Sequence, residues 1–106
     1  MMLAMGAEME IAGPDGTRRV PADAFFVDLY QTALEPGELL VALHIPVARP
    51  EHRCAFDEIA RRRGDYALVG CGIRLAMSGD VVEEARIALL SVGPTPVRAH
   101  AAEATL

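Results

Sequence analysis

A chain of 106 residues with 15 acidic side chains against 10 arginines, and no lysine, has a formal net charge of −5. That balance argues against nucleic acid as a partner. With 52% hydrophobic and 24% charged residues the chain is neither disordered nor collagen-like, and its length suits one modest core burying roughly 65% of the unfolded surface. No apolar run approaches the ~18 residues of a membrane span, and no charged-then-apolar leader with a cleavage site opens the sequence.

The first predicted element is a β-hairpin, with arms over residues 4–11 and 17–20 around the turn cluster Gly13-Pro14-Asp15-Gly16. No long helix follows these glycines, so they read as a turn and not as a phosphate cradle. Asp23 is placed to cap a short helix over residues 24–33, ended by Pro36-Gly37. Phe25, Phe26, Leu29, Tyr30, Ala33 and Leu34 recur on its core face. Residues 38–45 alternate as a strand, and Pro46 and Pro50 close it and open an exposed connection.

A second strand covers residues 53–60, and Arg61-Arg62-Arg63 then meets a turn at Gly64-Asp65. Residues 67–77 and 81–92 alternate around Ser78-Gly79-Asp80 and form the plainest hairpin in the chain. Gly70 and Gly72 share one face, where they admit a close approach to the backbone or mark a bulge. Thr95 and Pro96 are placed as N-cap and first residue of a terminal helix with Val97, Ala101 and Ala104 as its apolar stripe. That helix meets Leu106 with no stop signal, so a chain cut short is expected. The elements together predict an α+β fold: a β-hairpin and short helix, then an antiparallel three-stranded sheet backed by helix.

Bottom-up chemistry is sparse. Cys54 and Cys71 fit no zinc signature and lie in apolar strand-like runs, where both are expected to be buried free thiols acting as small hydrophobes. His44, His52 and His100 are scattered, and Ser78 and Ser91 lack a histidine at useful spacing. Asp57, Glu58 and Asp65 lie near the arginine triplet, an arrangement as suited to a solvated salt-bridge face as to acid–base work. A reducing, cytoplasmic compartment is expected.

Three motif blocks, in order, resemble a known family. They are Ala22-Asp23-Ala24-Phe25-Phe26 with Thr32-Ala33-Leu34-x-Pro36-Gly37-Glu38-Leu39-Leu40 and Ile45-Pro46; then Ala55-Phe56-x-x-Ile59-Ala60-Arg61-Arg62-x-Gly64-Asp65-Tyr66-Ala67-Leu68-Val69; then Val92-Gly93-Pro94-Thr95-Pro96-Val97-Arg98-Ala99 with Glu103. They are similar to the FAD-binding medium subunit of the molybdenum hydroxylases, the carbon monoxide dehydrogenase and xanthine dehydrogenase flavoproteins. The resemblance implies that residues 1–48 are the tail of the FAD-binding α/β domain and residues 49–106 an incomplete C-terminal domain.

It also implies FAD as cofactor, held only together with an upstream half that carries the glycine-rich diphosphate loops. The implied partners are a molybdenum-cofactor large subunit and an iron–sulfur small subunit, with electrons passing from the clusters through FAD to an acceptor. Leu39 and Leu40 match apolar flavin contacts, and Tyr66 matches an aromatic position near the isoalloxazine. Glu58 falls where many relatives carry a lysine approaching the flavin, a reversal of charge. Leu39, Leu40 and Tyr66 are therefore expected to share one hollow. The alternative expectation is a non-enzymatic subunit-interaction module that has lost flavin binding.

Overall fold

The computed structural model describes residues 1–106. The chain opens with one helical turn, α1 (Met2–Met5), instead of the predicted start of a strand. Met, Leu and Ala favour helix, and Gly6 ends the turn at φ 67°, a left-handed cap that L side chains resist. The Gly6 and Ala7 N–H groups close the cap onto the Leu3 and Met2 carbonyls. β1 (Glu8–Gly13) and β2 (Gly16–Pro21) then form the predicted hairpin around Pro14-Asp15. β5 (Leu39–His44) pairs antiparallel with β1, giving the sheet order β2-β1-β5 with a register shift at Glu10/Ile11.

The helix predicted over residues 24–33 is not formed. Only α2 (Ala22–Phe25) is helical, with Pro21 and not Asp23 at its N-cap. β3 (Phe26–Asp28) and β4 (Gln31–Thr32) follow as a small hairpin. The aromatic, Val and Thr residues of this stretch prefer extended backbone, and the Asp28 carboxylate accepts the Leu29 N–H at 2.7 Å, which starts the turn. Leu29 and Tyr30 consequently form an exposed tip and not a core face.

β6 (His52–Ala60), β7 (Ala67–Ser78) and β8 (Val81–Leu90) form the predicted antiparallel sheet, with Gly79-Asp80 as the tight turn. A two-residue fourth strand, β9 (Val97–Arg98), adds to the free edge of β8. This replaces the start of the predicted terminal helix. Val97 favours extended backbone, and the unpaired edge of β8 captures the chain through the Ala99 N–H on the Ile87 carbonyl. One helical turn, α3 (His100–Glu103), remains, and Thr95 does not cap it. Glu103 fastens that turn: its carboxylate accepts the Ile87 N–H at 2.7 Å and both arms of Arg98 at 2.6 and 2.7 Å.

The core lies between α1, the β1–β2 hairpin and α2, built from Leu3, Ala4, Met9, Ile11, Val20, Ala22 and Phe25, with Ala88 contributed by β8. Gly70 and Gly72 serve close approach and not a bulge. A Cβ on Gly72 would lie 2.6 Å from Met1 Sδ, so the missing side chain makes room for the residue that leads into α1. Cys54 and Cys71 are free, and Cys54 is exposed where burial was expected.

Ile11, fully buried on β1, tests the position of this core. Ile11→Ala is expected to lower unfolding stability by about 2–5 kcal/mol, and Tyr66→Ala by no more than ~0.5 kcal/mol, as read from urea unfolding of each variant.

Candidate functional site

β5 presents Leu39, Leu40, Val41 and Leu43 in exposed positions. Leu39 is 71% and Leu40 42% accessible, because β5 is the outer strand of its sheet and nothing in the chain packs on its far side. The turn before β5 is held by Arg18, whose Nε and Nη2 donate to the two Glu38 carboxylate oxygens at 2.8 and 2.7 Å. The same guanidinium donates to the Ala33 carbonyl at 2.6 Å, and Glu38 also accepts the Glu35 N–H at 2.7 Å. Bonding from Arg18, and next from that N–H, holds the Glu38 carboxyl at about 2, well below its ordinary 4.5. The same bond raises the Arg18 pKa.

A cavity of about 180 Å³ opens here between Gly13-Pro14-Asp15-Gly16-Thr17-Arg18 and Glu35-Pro36-Glu38. Asp15, Glu35 and Glu38 set three carboxylates against one guanidinium whose Nε and Nη2 donors are already committed. Such a lining repels a phosphate.

Glu58 and Tyr66 belong to the other sheet. Glu58 stands opposite Gly70 near the end of edge strand β6, with its N–H on the Asp57 carboxylate at 2.9 Å. It lines a shallow apolar-walled hollow of about 190 Å³ with Asp57, Ile59, Val69, Gly70 and Cys71. Tyr66 is 93% accessible and leads from the arginine turn into β7. Asp65 builds that turn: its carboxylate accepts the Tyr66 N–H at 2.9 Å and lies 3.3 Å from Arg62, and its own N–H reaches the Arg62 carbonyl.

Glu58 and Tyr66 thus flank one hairpin, while Leu39 and Leu40 lie on the other sheet. Leu39, Leu40 and Tyr66 line none of the cavities. The single hollow expected for them is not enclosed by this chain's residues.

Tyr30 is the feature that sequence reasoning missed. It is fully exposed at the β3–β4 tip with φ 56°, an uncommon conformation for an aromatic residue. The two-residue loop Leu29-Tyr30 between the paired Asp28 and Gln31 sets this left-handed backbone. The available signal was Leu29-Tyr30 between two short β-prone runs behind a turn-forming Asp28.

The family described as the CO dehydrogenase flavoprotein C-terminal domain matches residues 54–106, and the FAD binding domain in molybdopterin dehydrogenase matches residues 1–48. The chain belongs to the flavoprotein family of the molybdenum hydroxylases. It is 38% identical over 98 residues to the carbon monoxide dehydrogenase medium chain of Hydrogenophaga pseudoflava, an alignment covering 92% of this chain and 34% of that one. It is 41% identical over 102 residues to the medium chain from Afipia carboxidovorans, covering 96% and 35%. The solved carbon monoxide dehydrogenase of H. pseudoflava that lacks the Mo-pyranopterin moiety superposes with a TM-score of 0.96 at 41% identity, covering 99% of this chain and 37% of that one. The chain therefore spans about a third of the length of the curated relatives it matches.

FAD is the group this family implies, and the residues present fit it only in part. The open apolar face of β5 and the exposed aromatic rings suit a flat, apolar ring system. The polar cavity at the start of β5 does not suit the diphosphate, for the charge reason given above.

The Arg18–Glu38 pair carries a pH signature. A carboxyl lowered in the folded state stabilises fully above its unfolded value and loses that contribution as pH falls through its folded value. For Glu38 that window runs from about 4.5 down to about 2. Carbon-13 NMR titration is expected to place the Glu38 midpoint near 2 and to return it toward 4.5 in Arg18→Ala; an unshifted midpoint in the unmodified chain contradicts the bidentate pair.

Proposed function

We propose that this chain supplies an apolar wall and its scaffold to the flavin site of a molybdenum hydroxylase. In that setting, the subunit passes electrons from iron–sulfur clusters through FAD to an acceptor. The observation that carries the reading is the exposed Leu39-Leu40 strand, rigidly registered on β1 and anchored at its start by Arg18–Glu38, within the part matched by the FAD-binding family. Leu39 and Leu40 leave β5 on opposite faces, so the more exposed Leu39 is the one that excludes water from one side of a flavin, and Tyr66 offers an aromatic edge from the β6–β7 turn. Glu58 places a carboxylate near the same turn, which opposes any gain of negative charge close by. Bound FAD would supply the redox chemistry, and the chain's own residues supply position, dryness and field.

The division into residues 1–48 and 49–106 is part of this proposal. It is supported by the strand-free segment from 45 to 51 between β5 and β6 and by the limits of the two family matches. The proposed partners are a molybdenum-cofactor large subunit and an iron–sulfur small subunit, in line with relatives described as medium chains. A cytoplasmic setting accords with two free thiols and with the lack of any helix long and apolar enough to cross a membrane.

A second reading, an interaction module without flavin chemistry, is favoured by one observation: Leu39, Leu40 and Tyr66 do not line a common cavity. Flavin content separates the two. The 106-residue chain is expected to retain little FAD after gel filtration, and a full-length subunit with the glycine-rich loops to retain it stoichiometrically. In that subunit Leu39→Asp is expected to weaken FAD at least tenfold, about 1.4 kcal/mol. Unchanged FAD affinity in that variant removes the wall proposal, and tight FAD binding by the chain alone contradicts the need for loops supplied elsewhere.

A further inference from the structure

We propose that Arg86, seconded by Arg74, is the positioning residue that fixes residues 1–48 on the β6–β7–β8 sheet, and that the covalent connection between the two parts sets little of their geometry. This goes beyond the flavin reading and stands without it. A helix end leaves its last carbonyl oxygens without intrahelical partners. In α1 the Ala4 and Met5 oxygens, and the Leu3 oxygen that also accepts the Gly6 N–H, reach the sheet. Arg86 Nε donates to the Leu3 and Ala4 carbonyls at 3.3 and 3.2 Å, and its Nη2 to Leu3 at 2.9 Å. Arg74 Nη1 donates to the Met5 carbonyl at 3.2 Å. All three carbonyls belong to the N-terminal part and both arginines to the C-terminal sheet.

The two guanidinium groups start from adjacent strands, since Arg74 and Arg86 are register partners. Like charges so placed repel each other, and counter-charges meet them from two sides. Glu84 accepts from Arg74 at 2.7 Å, and Asp23 at the start of α2 lies 3.7 Å from both Arg86 and Arg98. Burial, and then the neighbouring Arg98 charge, still hold the Arg86 pKa below its ordinary value. A side chain kept in so costly a place by carbonyl contacts and one loose ion pair to Asp23, all from the N-terminal part, is a joint. Shape adds to it, because Gly72 leaves the slot for Met1 and Ala88 packs in the same cluster as Leu3. By contrast, residues 45–48 enter none of the turn or loop hydrogen bonds, and Val47 is exposed.

The test measures the geometry of the joint directly. Spin labels are placed at two exposed turns through Asp15→Cys and Asp80→Cys, in the full chain with Cys54→Ser and Cys71→Ser. Pulsed dipolar spectroscopy is expected to give one narrow distance distribution. Arg86→Ala is expected to widen it at least twofold, with amide-exchange protection across β7 unchanged. Arg86→Lys restores part of the narrowing, because an ammonium group keeps the charge and loses the fork. An unchanged width in Arg86→Ala overturns the proposal. So does lost β7 protection in that variant, which would make Arg86 a general fold residue. If Arg86→Ala does not fold, Arg74→Gln carries the test: a widened distribution supports the joint and an unchanged one overturns it.

Discussion

Leu3, Ala4 and Met5 close a single helical turn, and one turn has almost no stability of its own in water. It persists because its carbonyl oxygens land on charged donors of a neighbouring sheet. Hydrogen bonds to charged groups contribute about 1.5–3 kcal/mol each, against the cost of drawing Arg86 and Arg74 out of solvent. Asp23 and Glu84 offset that cost. The core depends on this contact: Leu3 and Ala4 are its members from α1, and Ala88 reaches the same cluster from β8. Besides the carbonyl–arginine contact, the two parts are joined by the ion pairs of Asp23 with Arg86 and Arg98 and by Met1 and Leu3 packed at Gly72 and Ala88.

The hydrophobic balance explains why such polar contacts matter here. The chain exposes 7319 Å², where a compact monomer of 11.4 kDa exposes about 5,800 Å². Its radius of gyration is 15.5 Å, against about 13 Å for a compact chain of this length. The excess of about 1,500 Å² is roughly twice the ~800 Å² that each partner buries in a standard protein–protein contact. It is concentrated in β5, the β3–β4 tip and the ends of the β6–β7 hairpin, where Leu39, Tyr30, Ile59, Tyr66 and Leu68 face outward. Strand ladders and arginine contacts therefore carry an unusual share of the cohesion, while the buried apolar set is small.

The sequence was most legible where a two-residue period ran long. The strands around Gly79-Asp80 and the arms around Pro14-Asp15 follow from alternation and turn chemistry. It was least legible in short segments, where one or two tertiary contacts outweigh local preference. Residues 24–33 show a helical period of apolar side chains, yet Phe26, Val27, Tyr30 and Thr32 are strand formers, and one Asp28 carboxylate suffices to turn the chain. Pro96-Val97 reads as a helix start, but no local pattern reveals that the β8 edge lies within reach of Ala99. The family blocks located Leu39, Leu40, Glu58 and Tyr66. They separated the leucines from Glu58 and Tyr66 by domain, but could not convey that no common hollow encloses Leu39, Leu40 and Tyr66, because that is a matter of tertiary arrangement.

The same distribution shapes what this stretch of a flavoprotein can do. Apolar contacts to a ring are non-directional and need only a fixed surface, which β5 provides through its ladder to β1 and its anchor at Glu38. A diphosphate is more demanding, because it requires donors that converge and are not already spent. The cation that anchors the start of β5 is Arg18, and its Nε and Nη2 are taken up by Glu38 and by the Ala33 carbonyl. Releasing it for a phosphate would break a bidentate pair and free the turn that sets the register of β5. Arg18 is thus spent on holding the start of β5, and this turn offers no converging set of free donors to an anion.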